Sequence, residues 1–431
     1  MRKKITRLIQ NDFIRHTGIM VLGTGLVNIF NLVYQLGLVR LLSVVEYGVL
    51  NSLISLTVLA SQFTVPFYPV LARSFSIYIA RNESGRVRIL LKRATRDLGI
   101  IAAILLLILI LASGPIATWL QIGQSYYIIL VGFVISASTL AVVPGAFLWG
   151  WQRFTHLAAL GILPAGLKLA VGLALVGAGL GVSGALGGYV TVPLCMILVG
   201  FTFIHFLRRD FPEEEEAGDK ECVSMASIYK YFIPTGIALF SFSVLTNFDV
   251  ILVKHFFPPR EAGFYSVAQM VGKIILFLPG AISIVIFPKA ASAQARSQAS
   301  FSILRKGLVV VASVNVVAML VCAVFPGFVL KILTGKTDPE SVRLVPWFAL
   351  AMSFYALTWL NIFYHLSIHS TRFIPYLAGF ALAQTVIIAA YHPGLKSVLI
   401  ILTIFSIFSF IVTLALSRSG PLPSRPIEEI R

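Results

Sequence analysis

Two ammonium groups and one carboxylate stand inside long apolar runs of this 431-residue chain: Lys168, Lys273 and Asp249. An ionisable side chain in such a run is costly, so each is a functional candidate by default. Tyr265, Gln269 and Lys273 recur at i, i+4 and i+8 and form one polar stripe on a helix. A lysine there, facing a cavity, attracts a pyrophosphate or an acidic sugar; the competing reading is a lysine that snorkels or pairs for packing. Lys168 lies four residues after Pro164 with few polar neighbours, and the same two readings apply. Asp249, two residues after Asn247, could bind a coupling proton or cation, or form a structural ion pair with Lys254; its shallow position favours the pair. Asn28, Asn31 and Gln35 share a helix face at i, i+3 and i+7, and Asn361 and His365 repeat the pattern at i and i+4. Such amides suit either a sugar-binding face or hydrogen bonds between helices.

Other chemistry is poorly supplied. Of 17 acidic residues only Asp249 lies well inside an apolar run, so no paired carboxylates are available for glycosyl chemistry, and no catalytic residue is assigned. Gly179-x-Gly181-x-x-Gly184 fits the dinucleotide pattern in letters only. It follows an apolar helix rather than a strand, and reads as a tight outer turn between two helices. No G-x-x-x-x-G-K-[ST] occurs, so energy is expected from an ion gradient, the membrane potential or substrate consumption. His365 is read as a lone histidine rather than a metal site, and neither a metal nor a cofactor is expected. Cys195, Cys222 and Cys322 are widely spaced, form no C-x-x-C pair, and read as structural thiols.

The elements that must carry these residues follow from composition. The chain is 58% hydrophobic and 12% charged, against about 45–50% and about 25% in soluble chains. This excludes a soluble enzyme and predicts an all-α integral membrane protein. Stretches of about 20 apolar residues predict twelve spans, near 14–38, 48–71, 98–119, 127–149, 155–177 and 185–207, then 229–253, 263–287, 307–330, 344–367, 373–391 and 396–416. The first is too long for a signal-peptide core and is read as retained. Lys and Arg in the connections divide 25 to 7, which puts both termini in the cytoplasm. The net charge of +17 is thus a topology signal, and no nucleic-acid partner is expected. The predicted organisation is a six-helix lobe over 1–207, an acidic cytoplasmic linker over 208–228 with Glu213–Glu216, Asp219 and Glu221, a second six-helix lobe over 229–417, and a tail over 418–431. Six helices per lobe leave both in the same orientation, a parallel repeat.

The halves also resemble each other locally. Val39-Arg40 precedes Glu46-Tyr47-Gly48-Val49, and Val253-Lys254 precedes Glu261-Ala262-Gly263-Phe264-Tyr265. Each pair places a base at the end of one helix, then an acid and a glycine at the start of the next. These turns, with Leu41-Leu42 and Arg73 in the first half and Asp249-Val250-Ile251-Leu252 and Ile286-Phe287-Pro288 in the second, resemble the oligosaccharide and polysaccharide flippases of the multidrug/oligosaccharidyl-lipid/polysaccharide exporter superfamily, O-antigen repeat-unit flippases among them. The resemblance implies two lobes in a V around a polar cavity that opens alternately to each side, and export of a polyprenyl-pyrophosphate-linked glycan. The peptidoglycan-precursor flippases generally have fourteen helices and cavity arginines; twelve spans and lysines here point away from that subgroup.

The expected function is therefore a flippase for a lipid-linked oligosaccharide in the plasma (inner) membrane of a bacterium or archaeon, serving surface polysaccharide synthesis. Glycosyltransferases or a polymerase of the same pathway are the expected partners, with membrane lipids around it. The alternatives are a cation-coupled multidrug exporter of the same superfamily and a non-transporting scaffold of a glycan-assembly complex. The orientation is directly testable. Arg86→Cys, in a connection that holds seven basic residues between Arg73 and Arg96, should react with an impermeant maleimide only from the cytoplasmic face. Labelling from outside would invert the topology.

Overall fold

The computed structural model describes residues 2–65, 67–207, 225–277, 301–368 and 370–418. No strand occurs among them, and the chain is an all-α integral membrane protein. It divides into two compact units, Met1–Phe232 and Ile233–Arg431. The acidic part of the expected linker, Glu213 to Glu221, and the tail beyond Arg418 lie outside the described residues, as does Cys222.

In the first unit the helices are α1 (Arg2–Leu41), α2 (Val44–Ser61), α3 (Phe67–Ala80), α4 (Ser84–Leu111), α5 (Ser113–Trp119), α6 (Tyr126–Gly150), α7 (Phe154–Leu175) and α8 (Gly181–Leu207). The second unit holds most of α9 (Met225–Phe256), then α10 (Pro259–Phe277), α11 (Phe301–Val324), α12 (Pro326–Thr334), α13 (Pro339–Ser367), α14 (Ile374–Ala390) and α15 (Leu395–Arg418). Three expected spans are each built from two helices. The second breaks after Ser61, just ahead of Pro66, whose ring disfavours a helical conformation in the residue before it and which has no N–H to donate. The third turns at Ala112, and the ninth breaks before Pro326, which opens α12.

By length and apolarity, nine helical stretches among the described residues can cross a membrane. Three local facts separate that number from the expected twelve. Phe154–Phe206 counts as one stretch of 53 residues but folds back on itself. Ile374–Ala390 has only 17 residues. α10 carries Arg260, Glu261 and Lys273 within 19 residues, and the end of its expected span, 278–287, lies outside the described residues. The fold-back between α7 and α8 is the glycine turn foreseen from sequence: Gly179 has φ 89° and Gly181 φ 50°, values that L side chains rarely adopt.

Each unit is organised around the fourth span of its half. α6 packs against α2, α3, α4 and α8, and α13 packs against α10, α11, α12 and α15. Both are largely buried. Leu71, Phe75, Leu98, Phe147, Leu160 and Ile204 fill the core beside α6, with Phe75 and Phe147 edge to face at 5.2 Å. Leu304, Val311, Leu357 and Leu360 fill the core beside α13. The repeated turns match in detail. Glu46 is the third residue of α2 and closes a capping box with Ser43, with bonds of 2.9 and 3.2 Å; Glu261 is likewise the third residue of α10. An acid at that position meets free N–H groups and the positive end of the helix.

Tyr34 of α1 sets the α7–α8 spacing. Its hydroxyl donates to Ala185 O at 2.7 Å, and it reaches that carbonyl because Gly172 and Gly188 leave space. A Cβ on Gly188 would lie 2.6 Å from the hydroxyl and 2.8 Å from Gly172 Cα. Gly188→Ala should therefore push α8 off α7 and lower stability by about 1–3 kcal/mol, read as an earlier unfolding midpoint in detergent. An unchanged midpoint would show that the contact is slack.

Candidate functional site

The first unit places one lysine among aromatic rings. Lys168 of α7 is only 7% exposed. Its Nζ donates to Asn31 Oδ1 on α1 and lies 5.0 Å from the Tyr34 ring centre and 4.8 Å from that of Tyr189. The rings stand edge to face at 5.7 Å, and Gln35 Nε2 donates to the Tyr189 hydroxyl at 3.1 Å. An ammonium over a ring face is held by about 0.5–2 kcal/mol, more as water is removed. No described carboxylate forms an ion pair with Lys168. Its charge is dispersed over π faces and one amide rather than neutralised. Asn31 and Gln35 thus gather on the lysine, one directly and one through Tyr189. Asn28 does not join them; its side chain is exposed and bonds to no described residue.

The second unit places its lysine differently. Lys273 of α10 is half-buried, and its Nζ donates to Asn247 Oδ1 on α9 at 3.0 Å. Asn247 is fixed in turn by donating to Ser243 O and Thr246 Oγ1, both at 3.0 Å. Asp249, 1% exposed, accepts from the Tyr265 hydroxyl at 2.7 Å and from Gln269 Nε2 at 3.2 Å. Lys273 acts on Asp249 through space without bonding to it. The expected stripe of Tyr265, Gln269 and Lys273 therefore divides: two members hold the carboxylate and the third holds the amide. The structure does not bring Asp249 and Lys254 together. A separation of five residues turns them about 140° apart on a helix, and the carboxylate already has two donors from α10.

A second layer continues this network. The Tyr355 hydroxyl of α13 donates to Gln384 Oε1 of α14 at 2.6 Å, and Gln384 Nε2 donates to Leu245 O of α9 at 3.0 Å. Asn361 lies elsewhere. It is fully buried and donates to Thr413 Oγ1 on α15 at 3.1 Å, so it joins α13 to α15 rather than approaching Lys273. His365, one turn on, faces the same strip of α15. The residues that sequence reasoning passed over are Tyr34, Tyr189, Tyr355 and Gln384. Gln384 was findable as the lone amide in an apolar helix, and Tyr189 by the Gly187-Gly188 pair before it.

Chemically, the arrangement offers two ammonium groups, each attached to an asparagine oxygen on the first helix of its unit and neither joined to a described carboxylate. No described group of His, Cys, Asp and Glu could hold a metal ion.

Comparison with known proteins agrees with this architecture. No curated protein sequence matches the chain. Among solved structures, an inward-facing multidrug resistance MATE family transporter of the MOP superfamily superposes with a TM-score of 0.67 at 12% identity, covering 91% of this chain and 94% of the other. The lipid II flippase MurJ in an inward closed conformation gives a TM-score of 0.59 at 14% identity, covering 93% and 87%. A MOP superfamily transporter from Pyrococcus furiosus, described by the reverse polarity of its binding pocket, gives 0.57 at 14%, covering 94% of each. At these identities the likeness carries the fold. The family profile for polysaccharide biosynthesis proteins matches residues 13–294, well over half of the sequence, and the chain belongs to that family.

Proposed function

We propose that the protein is a flippase that exports a polyprenyl-pyrophosphate-linked oligosaccharide for surface polysaccharide synthesis by alternating access. The observation that carries this reading is the pair of lysines. Lys168 and Lys273 each have an asparagine oxygen as hydrogen-bond partner, and neither forms an ion pair with a described carboxylate, although Asp249 lies close enough to act on Lys273. Such groups favour an anionic headgroup, because an incoming phosphate oxygen supplies the direct ion pair that neither lysine makes with a described carboxylate. Asn31 and Gln35 add amide groups of the kind that bond sugar hydroxyls. Membership of the polysaccharide biosynthesis family supports the glycan, and the fold shared with MurJ, a lipid II flippase, supports a lipid-linked one.

No catalytic step is assigned; the prenyl tail stays in lipid while the head crosses. An inside-negative potential helps a negative headgroup outward by about 2.3 kcal/mol per charge per 100 mV. The proposed setting is a bacterial or archaeal plasma membrane with both termini inside, alongside the glycosyltransferases or polymerase of the same pathway. Two observations favour the drug-exporter alternative, the buried carboxylate of Asp249 and the fold shared with MATE transporters. Against it, that carboxylate is already occupied by Tyr265 and Gln269.

Translocation of a polyprenyl-pyrophosphate oligosaccharide in sealed vesicles tests the reading. Lys168→Ala and Lys273→Ala should each cut the rate about ten- to a hundred-fold, the order expected for loss of one charge-assisted bond of about 1.5–3 kcal/mol. Arginine at either position should retain more activity than alanine. Efflux of organic cations with no glycolipid movement would replace this function with the exporter.

A further inference from the structure

The end of the first unit opposite the Arg73–Arg96 connection carries a second polar cluster, which shares no residue with the Lys168 site. Tyr126 and Tyr127 open α6, with ring centres 4.6 Å apart and planes at 57°. Tyr126 is 42% exposed. Its hydroxyl shares a hydrogen bond of 2.5 Å with Ser183 Oγ in the first turn of α8. Tyr127, half-buried, lies close enough to Tyr126, Ser183 and Glu46 to interact with all three. The Glu46 carboxylate is only half used. Oε2 accepts from Ser43 N at 2.9 Å, and no described residue donates to Oε1. That oxygen reaches the α7–α8 turn because Gly181 has no Cβ; one added there would lie 2.6 Å from it.

Charge selects the class of ligand for this cluster. Three helices begin here, α2 at Val44, α6 at Tyr126 and α8 at Gly181, and a helix start carries about half a positive charge. Arg40 stands in the last turn of α1, at the same connection as Glu46. One carboxylate among these leaves no surplus negative charge to hold a cation. An anion is opposed by Oε1, which can only accept hydrogen bonds and has none from the protein. A neutral ligand with hydroxyls meets both conditions, because it donates to Oε1 and accepts from the tyrosine and serine hydroxyls. The exposed tyrosine narrows the class further. Its ring is an apolar face with a polar tip, which matches a sugar ring that has a C–H face and a rim of hydroxyls.

We infer that this cluster is a saccharide-binding site, with the Tyr126 ring as its platform and Glu46 Oε1 as the acceptor for a sugar hydroxyl. Under the proposed topology it lies on the outer face, where a translocated glycan emerges. That role rests on the proposed function; the sugar site itself does not.

The experiment has two arms. Proton saturation-transfer spectra of the full chain in nanodiscs are recorded with glucose, galactose, mannose, rhamnose and N-acetylglucosamine, each at about 20 mM, well above the roughly millimolar Kd that so small a site gives. At least one of these sugars should bind the wild type. Tyr126→Ala, at an exposed position, should weaken that binding about ten-fold, and Tyr126→Phe much less because it keeps the ring. Glu46→Gln still closes a capping box and should weaken binding about three- to ten-fold, since a neutral acceptor replaces a charged one. Binding of none of these sugars, or binding that Tyr126→Ala leaves unchanged, overturns the site. Tyr126-dependent binding of tetramethylammonium or inorganic phosphate in place of sugar overturns it too. A null effect of Glu46→Gln alone removes the carboxylate from the site. In sealed vesicles, Tyr126→Ala should move a polyprenyl-pyrophosphate oligosaccharide several-fold more slowly than the wild type; an equal rate removes the role in transport. Sugar binding without any glycolipid movement by the wild type would keep the site and discard the flippase, and movement without sugar binding would do the reverse.

Discussion

An ammonium group set in an apolar helix bundle is costly unless oxygens and π electrons of the protein meet it. Around Lys168 this requirement reaches far beyond one side chain. Asn31 and Tyr34 must come from α1 and Tyr189 from α8, so three helices are tied to one charge. Tyr34 lies beneath the ammonium only because Gly172 and Gly188 bear no Cβ, and it is anchored by the Ala185 carbonyl. The same requirement in the second unit recruits Asn247 to Lys273 and leaves Asp249 to Tyr265 and Gln269. In both units the ammonium is met by an asparagine oxygen rather than by an ion pair, and in the second unit a carboxylate stands nearby.

The likeness of the two halves is visible at two scales. Locally, Glu46 and Glu261 occupy the third position of α2 and α10, where an acid meets the free N–H groups of a helix start. Across each unit, the fourth span of the half becomes the hub, α6 in one and α13 in the other. Yet the lysines do not sit on matching helices. One is on the fifth span of its half and the other on the second, and both bond to the first. The halves share a scaffold and an electrostatic solution while placing the charge by different routes.

Much of this was legible before any coordinate. Apolar runs place the helices because about 20 residues are needed to cross hydrocarbon, but the expected spans ran straight through the breaks after Ser61, Leu111 and Val324. The glycine turn at Gly179–Gly181 could be read because no strand precedes it. Side-chain partners were harder. A helical wheel puts Tyr265, Gln269 and Lys273 on one face, but it cannot say that the first two reach a carboxylate while the third reaches an amide. It also made Asp249 and Lys254 near neighbours in sequence, although five residues of helix turn them away from each other. Asn361 looked like a cavity residue because a buried seam and a wet cavity demand the same polar side chain. Only the position of Thr413, 52 residues away, separates them.

One short apolar helix has a consequence for the bilayer itself. Seventeen residues of α14 rise about 26 Å, against a hydrocarbon core of about 30 Å. Tyr376 and Tyr391, 52% and 62% exposed, stand near its two ends, where aromatic side chains mark the lipid–water boundary. At the short end of the lengths that span hydrocarbon, α14 favours a locally thin bilayer at its flank. Under the proposed function, a headgroup that crossed beside α14 would meet the thinner edge of the hydrocarbon layer.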